Sequence, residues 1–176
     1  MKTMVQLSHE FLLPVLHKQA IVVDATLGQG KDTEFFLNQK VKTVIAFEVQ
    51  EAAIQKVKDK IKDDRLHIYN TGHENMDAIL SQEVDAMVFN FGYCPGLDSC
   101  VTTMPNTSLT AVKKGLNLLK VKGRMALAFY PHEQGKLESE KIMGFLQNVP
   151  HYSYQIQKIE VVNAKSPYLI FIERIH

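Results

Sequence analysis

Tryptophan is absent from this 176-residue sequence, and cysteine occurs twice. Two thiols close one bridge at most, which excludes a disulfide scaffold. Cys94 and Cys100 also lack the companions that a zinc site needs, so no metal centre is expected. Charge of one sign is missing as well. Twenty Lys and Arg face 19 Asp and Glu, a formal net charge of +1, so a nucleic-acid partner would have to be gripped by a local patch instead of a broadly basic surface. Long apolar runs are lacking too: a stretch such as residues 125–130 is far too short to cross a bilayer. The start, MKTMVQLSHEFLLPVLHKQA, has His9 and Glu10 where a secretory signal keeps its apolar core. These absences predict a cytoplasmic protein with reduced thiols. What is present is 45% hydrophobic and 22% charged, the profile of a globular chain. The length predicts one domain over residues 1–176, with residues 1–18 as an N-terminal helical brace.

Apolar runs of strand length alternate with segments of helical period along the whole chain. That pattern predicts a Rossmann-like α/β fold: a seven-stranded, mostly parallel sheet with helices on both faces. The strands read are residues 20–25, 43–48, 66–70, 84–90, 123–130, 152–162 and 168–172, and the helices are 32–38, 51–62, 73–80, 105–120 and 135–148. A first helix over 5–17 should stop or bend near Leu13, because Pro14 cannot supply a backbone donor. Only residues 163–167 separate the last two strands. A connection that short cannot hold a crossover helix, so an antiparallel C-terminal hairpin is predicted.

Three constellations carry the chemistry. Asp24-Ala25-Thr26-Leu27-Gly28-Gln29-Gly30 lies where the first strand turns into the first crossover helix, and its glycines let backbone N–H groups come close to a ligand. A dinucleotide fingerprint would need glycine at 33, where Thr33 stands. An acid such as Asp24 suits a cationic group, for example the ammonium of a methionine moiety, better than a pyrophosphate. Glu48 closes the second strand, 20 residues beyond Gly28, where a carboxylate can accept from both hydroxyls of a ribose; Gln50 comes next to reach the sugar or base. Asn90-Phe91-Gly92-Tyr93-Cys94-Pro95-Gly96 ends the fourth strand. It is similar to the Asn-Pro-Pro-Tyr loop of amino-directed methyltransferases, in which the amide oxygen and a backbone carbonyl accept from a target amine and the ring stacks on the base. His73 and His132 follow the third and fifth strands on the same rim. His73 is placed for a cofactor contact, and His132 for removing a proton from the acceptor. Lys113, Lys114, Lys120, Lys122 and Arg124, and again Lys56, Lys58, Lys60, Lys62 and Arg65, are the densest basic groups.

Together with Gly72-His73-Glu74-Asn75, Thr102-Thr103, Gly135, Asn163 and Pro167, these residues resemble the YtqB-type putative rRNA methylase family of class I S-adenosylmethionine-dependent methyltransferases. The resemblance spans nearly the whole chain, and the Asn-x-Gly-Tyr-x-Pro-Gly loop is its most specific part. Gln29, Lys31 and Glu48 stand where the family commonly has asparagine, histidine and aspartate. The resemblance implies S-adenosylmethionine as cofactor, held by Asp24, Gly28, Gln29, Gly30, Asp32, Glu48, Gln50, His73 and Asn90. It implies Asn90, Tyr93 and His132 as catalytic residues. The activity implied is N-methylation of 5-aminomethyl-2-thiouridine at the wobble position of tRNA, with the anticodon arm as partner and a homodimer as the assembly. By themselves the residues leave a small-molecule amine, another RNA, or a non-catalytic RNA-binding role open.

Overall fold

The computed structural model describes residues 1–92, 102–130 and 133–176, without the side chains of residues 133 and 134. Tyr93, Cys94, Cys100 and His132 therefore lie outside the described residues.

Seven strands form one sheet: β1 (Ile21–Asp24), β2 (Thr43–Glu48), β3 (Leu66–Asn70), β4 (Val84–Phe91), β5 (Leu119–Phe129), β6 (Tyr154–Ile159) and β7 (Tyr168–Arg174). Their order is β3-β2-β1-β4-β5-β7-β6. The pairs from β3 through β5 are parallel, and β7 runs antiparallel to both β5 and β6. The C-terminal hairpin expected from the short 163–167 connection is thus present, with β7 inserted beside β5. After β3 the chain returns across β1 to begin β4. This reversal opens a crevice beyond the carboxyl ends of β1 and β4.

Side chains along a strand alternate between faces, and the two faces here are filled differently. Val23, Met87, Phe89, Leu127 and Ile170 belong to one apolar cluster with Val112, Leu116, Ile142 and Leu146 of α5 (Pro105–Leu118) and α6 (Glu133–Leu146). The other face offers smaller groups, Val22, Ala86, Val88, Ala126 and Ala128. These meet Phe36 and Leu37 of α2 (Lys31–Asn38) and Leu12 of α1 (Met4–Leu12). Alanines there let α1 approach the sheet closely.

Thr3 starts α1 with a reciprocal capping box: its hydroxyl accepts from Gln6 N–H at 3.2 Å while Gln6 Oε1 accepts from Thr3 N–H at 2.9 Å. The helix ends before Pro14, and Leu13–Val15 tightens into a 3-10 turn. The ring of Phe11 lies flat on Phe171 at 4.2 Å. Arg124 sits 4.9 Å over Phe11 and donates to its carbonyl at 2.8 Å, which fastens α1 to β5 and β7.

Some boundaries differ from the sequence reading. β5 begins at Leu119 because the chain bulges before Arg124: the β4 register jumps from Val84 opposite Leu119 to Ala86 opposite Arg124. Lys122 takes a positive φ of 66° within this bulge. The 73–80 segment is a 3-10 turn, His73–Asn75, followed by the short α4 (Met76–Ile79). Among the described residues no helix is long and apolar enough to cross a membrane.

Candidate active site

A cavity of about 710 Å³ opens at the crevice, within the range of small-molecule sites. Its walls come from the β1–α2 loop, the ends of β2, β4 and β5, the Thr71–Glu74 turn, Thr102–Thr107 and, from α1, Val5.

The β1–α2 loop is tight. Gly28 and Gly30 have φ of 48° and 76°, and Gly30 N–H donates to Leu27 O at 2.7 Å. A Cβ on Gly30 would come 3.1 Å from Val57, so this glycine serves the turn and the packing of α3 (Glu51–Lys60). The loop is tied to β2 twice. Leu27 N–H donates to Phe47 O, and Gly28 N–H donates to Glu48 Oε2, both at 3.0 Å. Glu48 Oε1 also accepts from Val49 and Gln50 N–H at 2.9 and 3.0 Å. Three backbone donors therefore orient one carboxylate on the cavity wall, and its Oε2 edge keeps acceptor capacity for a hydroxyl. Val49 is 55% exposed and also lines the cavity, an apolar edge beside that acid.

Two of the residues expected at the cofactor stand behind the wall. Gly30 does not line the cavity, and Asp24 is wholly buried. The Asp24 carboxylate accepts from Thr33 Oγ1 at 2.7 Å and Thr26 N–H at 3.3 Å, locking the turn from within. Burial, then the charge of Asp32, pushes its pKa up to about 7. The folded state therefore holds this proton more tightly than the unfolded chain. Its stabilising effect is complete below about pH 4 and is lost as pH rises toward 7. Asp24→Asn should remove this dependence: in urea unfolding, wild type should lose more stability than the variant between pH 5 and pH 8. Equal losses would mean that Asp24 ionises normally.

Asp32 does reach the cavity. Asn90 Nδ2 donates to Asp32 Oδ2 at 2.7 Å, and His9 Nε2 lies 2.6 Å from Oδ1. The Asn90 N–H donates to Thr26 Oγ1 at 2.7 Å, so the β1–α2 loop and the end of β4 are joined directly. Gly92, at φ 143°, is clasped by Thr103: Gly92 N–H donates to Thr103 Oγ1 at 2.8 Å, and Gly92 O accepts from Thr103 N–H at 3.0 Å. Thr103 donates in turn to Glu138 Oε2 at 2.9 Å. Gly92 O already serves Thr103, and Asn90 adds a side-chain acceptor, Oδ1, to this turn.

His73 lines the cavity but spends its nitrogens inside the protein. Nδ1 donates to Ala25 O at 3.1 Å and Nε2 is 3.5 Å from Ser108, which bonds the buried Glu138. Burial holds its pKa below the ordinary histidine value. Half of the residues in the two basic groups are paired with acids away from the site: Lys114 with Asp77, Lys120 with Asp85, Arg124 with Glu173, Lys60 with Glu34 and Arg65 with Asp63.

Sequence reasoning missed several wall residues. Thr26 was within reach, since it sits between the acid and the glycines. Tyr130, at the end of β5, lines the cavity with its hydroxyl pKa raised by burial and by Asp32. A tyrosine directly after a strand on the ligand rim was a signal for it. Nothing in the sequence ties His9 to Asp32.

This strand order, with an acid at the tip of β2 and an amide at the tip of β4 facing one cavity, defines a class I methyltransferase dependent on S-adenosylmethionine. The chain belongs to the putative rRNA methylase family, whose profile matches residues 44–173. A putative rRNA methylase from Clostridium thermocellum superposes with a TM-score of 0.94 at 31% identity, covering 99% of each chain. A putative methyltransferase from Streptococcus mutans, solved in complex with SAH, gives 0.90 at 34% identity and again 99% of each chain. The chloroplastic tRNA (mnm(5)s(2)U34)-methyltransferase of Arabidopsis thaliana is 26% identical over 189 aligned residues, 97% of this chain and 69% of that protein.

Proposed function

We propose that this methyltransferase N-methylates the aminomethyl group of 5-aminomethyl-2-thiouridine at the wobble position of tRNA, giving the 5-methylaminomethyl nucleoside. The observation that carries the reading is one cavity joining two features: the Glu48 cradle and the Asn90 amide, with Asn90 Oδ1 unpartnered among the described residues. The plant relative named for the same wobble position supports the choice of RNA.

In this proposal Gly28, Gln29, Glu48 and Gln50 hold S-adenosylmethionine, whose sulfonium supplies an electrophilic methyl group, and the ring of His73 adds a wall beside it. Asp24 and Gly30 shape the loop from behind. Asn90 Oδ1 accepts from the acceptor amine and points its lone pair. An alkylammonium has no lone pair and must first lose a proton. Val5, Phe47 and Met104 on the wall lower its pKa by displacing water. His132 takes that proton, and Tyr93 together with Tyr130 receives the splayed base. Lys31, exposed on the cavity rim and without an ion pair among the described residues, is placed for a nucleotide phosphate.

The test is to incubate the purified protein with S-adenosylmethionine and tRNA from a strain lacking the gene, then digest to nucleosides for mass spectrometry. The 5-methylaminomethyl-2-thiouridine peak should appear. Its absence, or equally efficient methylation of an isolated alkylamine, would overturn the assignment.

A further inference from the structure

Behind the Asp32 and Asn90 wall of the cavity stands a residue that the sheet does not supply. His9 lies on α1, ahead of the first strand, yet its Nε2 is 2.6 Å from Asp32 Oδ1 while Asn90 Nδ2 holds the other carboxylate oxygen at 2.7 Å. The His9 ring is stacked on Phe35 at 3.7 Å and 5° from parallel. Side-chain exposures of 20% for His9 and 14% for Asp32 take this pair out of the class of solvent-screened surface bridges.

The chemistry of the three groups fixes their orientation. A carboxylate only accepts, so Nε2 carries hydrogen toward Asp32 and the Asn90 amide turns its NH2 the same way. The amide oxygen is then turned from Asp32, and Asn90 lines the cavity. Rotated by half a turn, the amide would present two donors to an incoming amine and would set its oxygen against a carboxylate. Asp32 selects between these orientations only while its own carboxylate stays in place. Asn90 grips one oxygen and His9 grips the other. The position of His9 is set in advance, because Phe11 and Arg124 fasten α1 to the sheet.

We propose that His9 is a positioning residue for methyl transfer: through Asp32 it holds the Asn90 amide with its oxygen toward the acceptor, which makes the N-terminal helix part of the active site. The inference rests on the role given to Asn90 above.

Two variants separate the hydrogen bond from the packing. His9→Phe keeps a ring on Phe35 and removes the donor, whereas His9→Gln restores an N–H at similar reach. His9→Phe should lower kcat for tRNA by about 10-fold, since small misplacements near the reacting atoms are costly. The Kd for S-adenosylhomocysteine by calorimetry should stay within about twofold, because the Glu48 cradle is untouched, and His9→Gln should recover most of the rate. Equal losses in both variants, or a weakened Kd with unchanged kcat, would overturn the proposal.

A second readout does not depend on turnover. The side-chain amide 15N resonance of Asn90, identified by its disappearance in Asn90→Ala, should move in His9→Phe and return toward its place in His9→Gln. A resonance indifferent to His9→Phe refutes the role. If the resonance responds while wild-type protein leaves tRNA unmethylated, the positioning role stands and the tRNA substrate falls.

Discussion

Asn90→Ala should lower turnover by about 100- to 1,000-fold, the usual cost of deleting a preorganised hydrogen-bonding group at the reacting atoms. The substitution removes the amide that would hold the amine and leaves Asp32 Oδ2 without its donor. The backbone bond from residue 90 to Thr26 survives, so the two loops stay joined. Cofactor affinity should change little, because Glu48, the acid proposed to hold the sugar, is on β2, two strands away across β1. Asn90→Asp should not rescue the enzyme, since it sets a second carboxylate against Asp32. Single-turnover kinetics with calorimetry of S-adenosylhomocysteine binding checks both parts. Lost affinity with the methylation rate intact would mean that the roles assigned to the β1–α2 loop and the β4 turn are reversed.

The second large effect is expected at Glu48. Alanine there deletes the acceptor for Gly28, Val49 and Gln50 N–H together, and in the proposed reading it removes the group that accepts from the cofactor's sugar. Affinity for S-adenosylmethionine should fall by about 100-fold, since each hydrogen bond to a charged group contributes about 1.5–3 kcal/mol. Glu48→Gln should lie between: its oxygen still accepts, but its NH2 faces backbone donors. The loss should appear in the KM for S-adenosylmethionine, with kcat at saturation largely kept, because the role proposed for this residue is to bind the cofactor without touching the acceptor. An unchanged KM in Glu48→Ala would place the ribose elsewhere.

These two residues were legible before any coordinates because strand ends are legible. An apolar run followed by a lone acid or amide marks the tip of a strand. In a parallel sheet all such tips gather on one rim. The same logic placed Gly28, Gln29, Gln50 and His73 around the cavity, and the short 163–167 segment announced the antiparallel hairpin. Local pattern does not say which way a side chain points once it reaches the rim. Asp24 and Asp32 are eight residues apart in one loop-and-helix segment and read alike. The first is buried under Thr33 and Thr26, and the second faces the cavity. The basic runs are a further case: Lys114, Lys120 and Arg124 are neighbours in the sequence but find acids from α4, β4 and β7 in three dimensions.

Periodicity and the spacing of acid, glycines and amide thus dictate a nucleotide-binding rim, because they depend on contacts within a strand, a turn or a neighbouring strand. Which carboxylate turns to the ligand, and that a histidine from the N-terminal helix stands behind the acceptor amide, depend on packing between segments far apart in the chain. Phe11 on Phe171 and the alanines beneath α1 set that arrangement, and no local pattern records it.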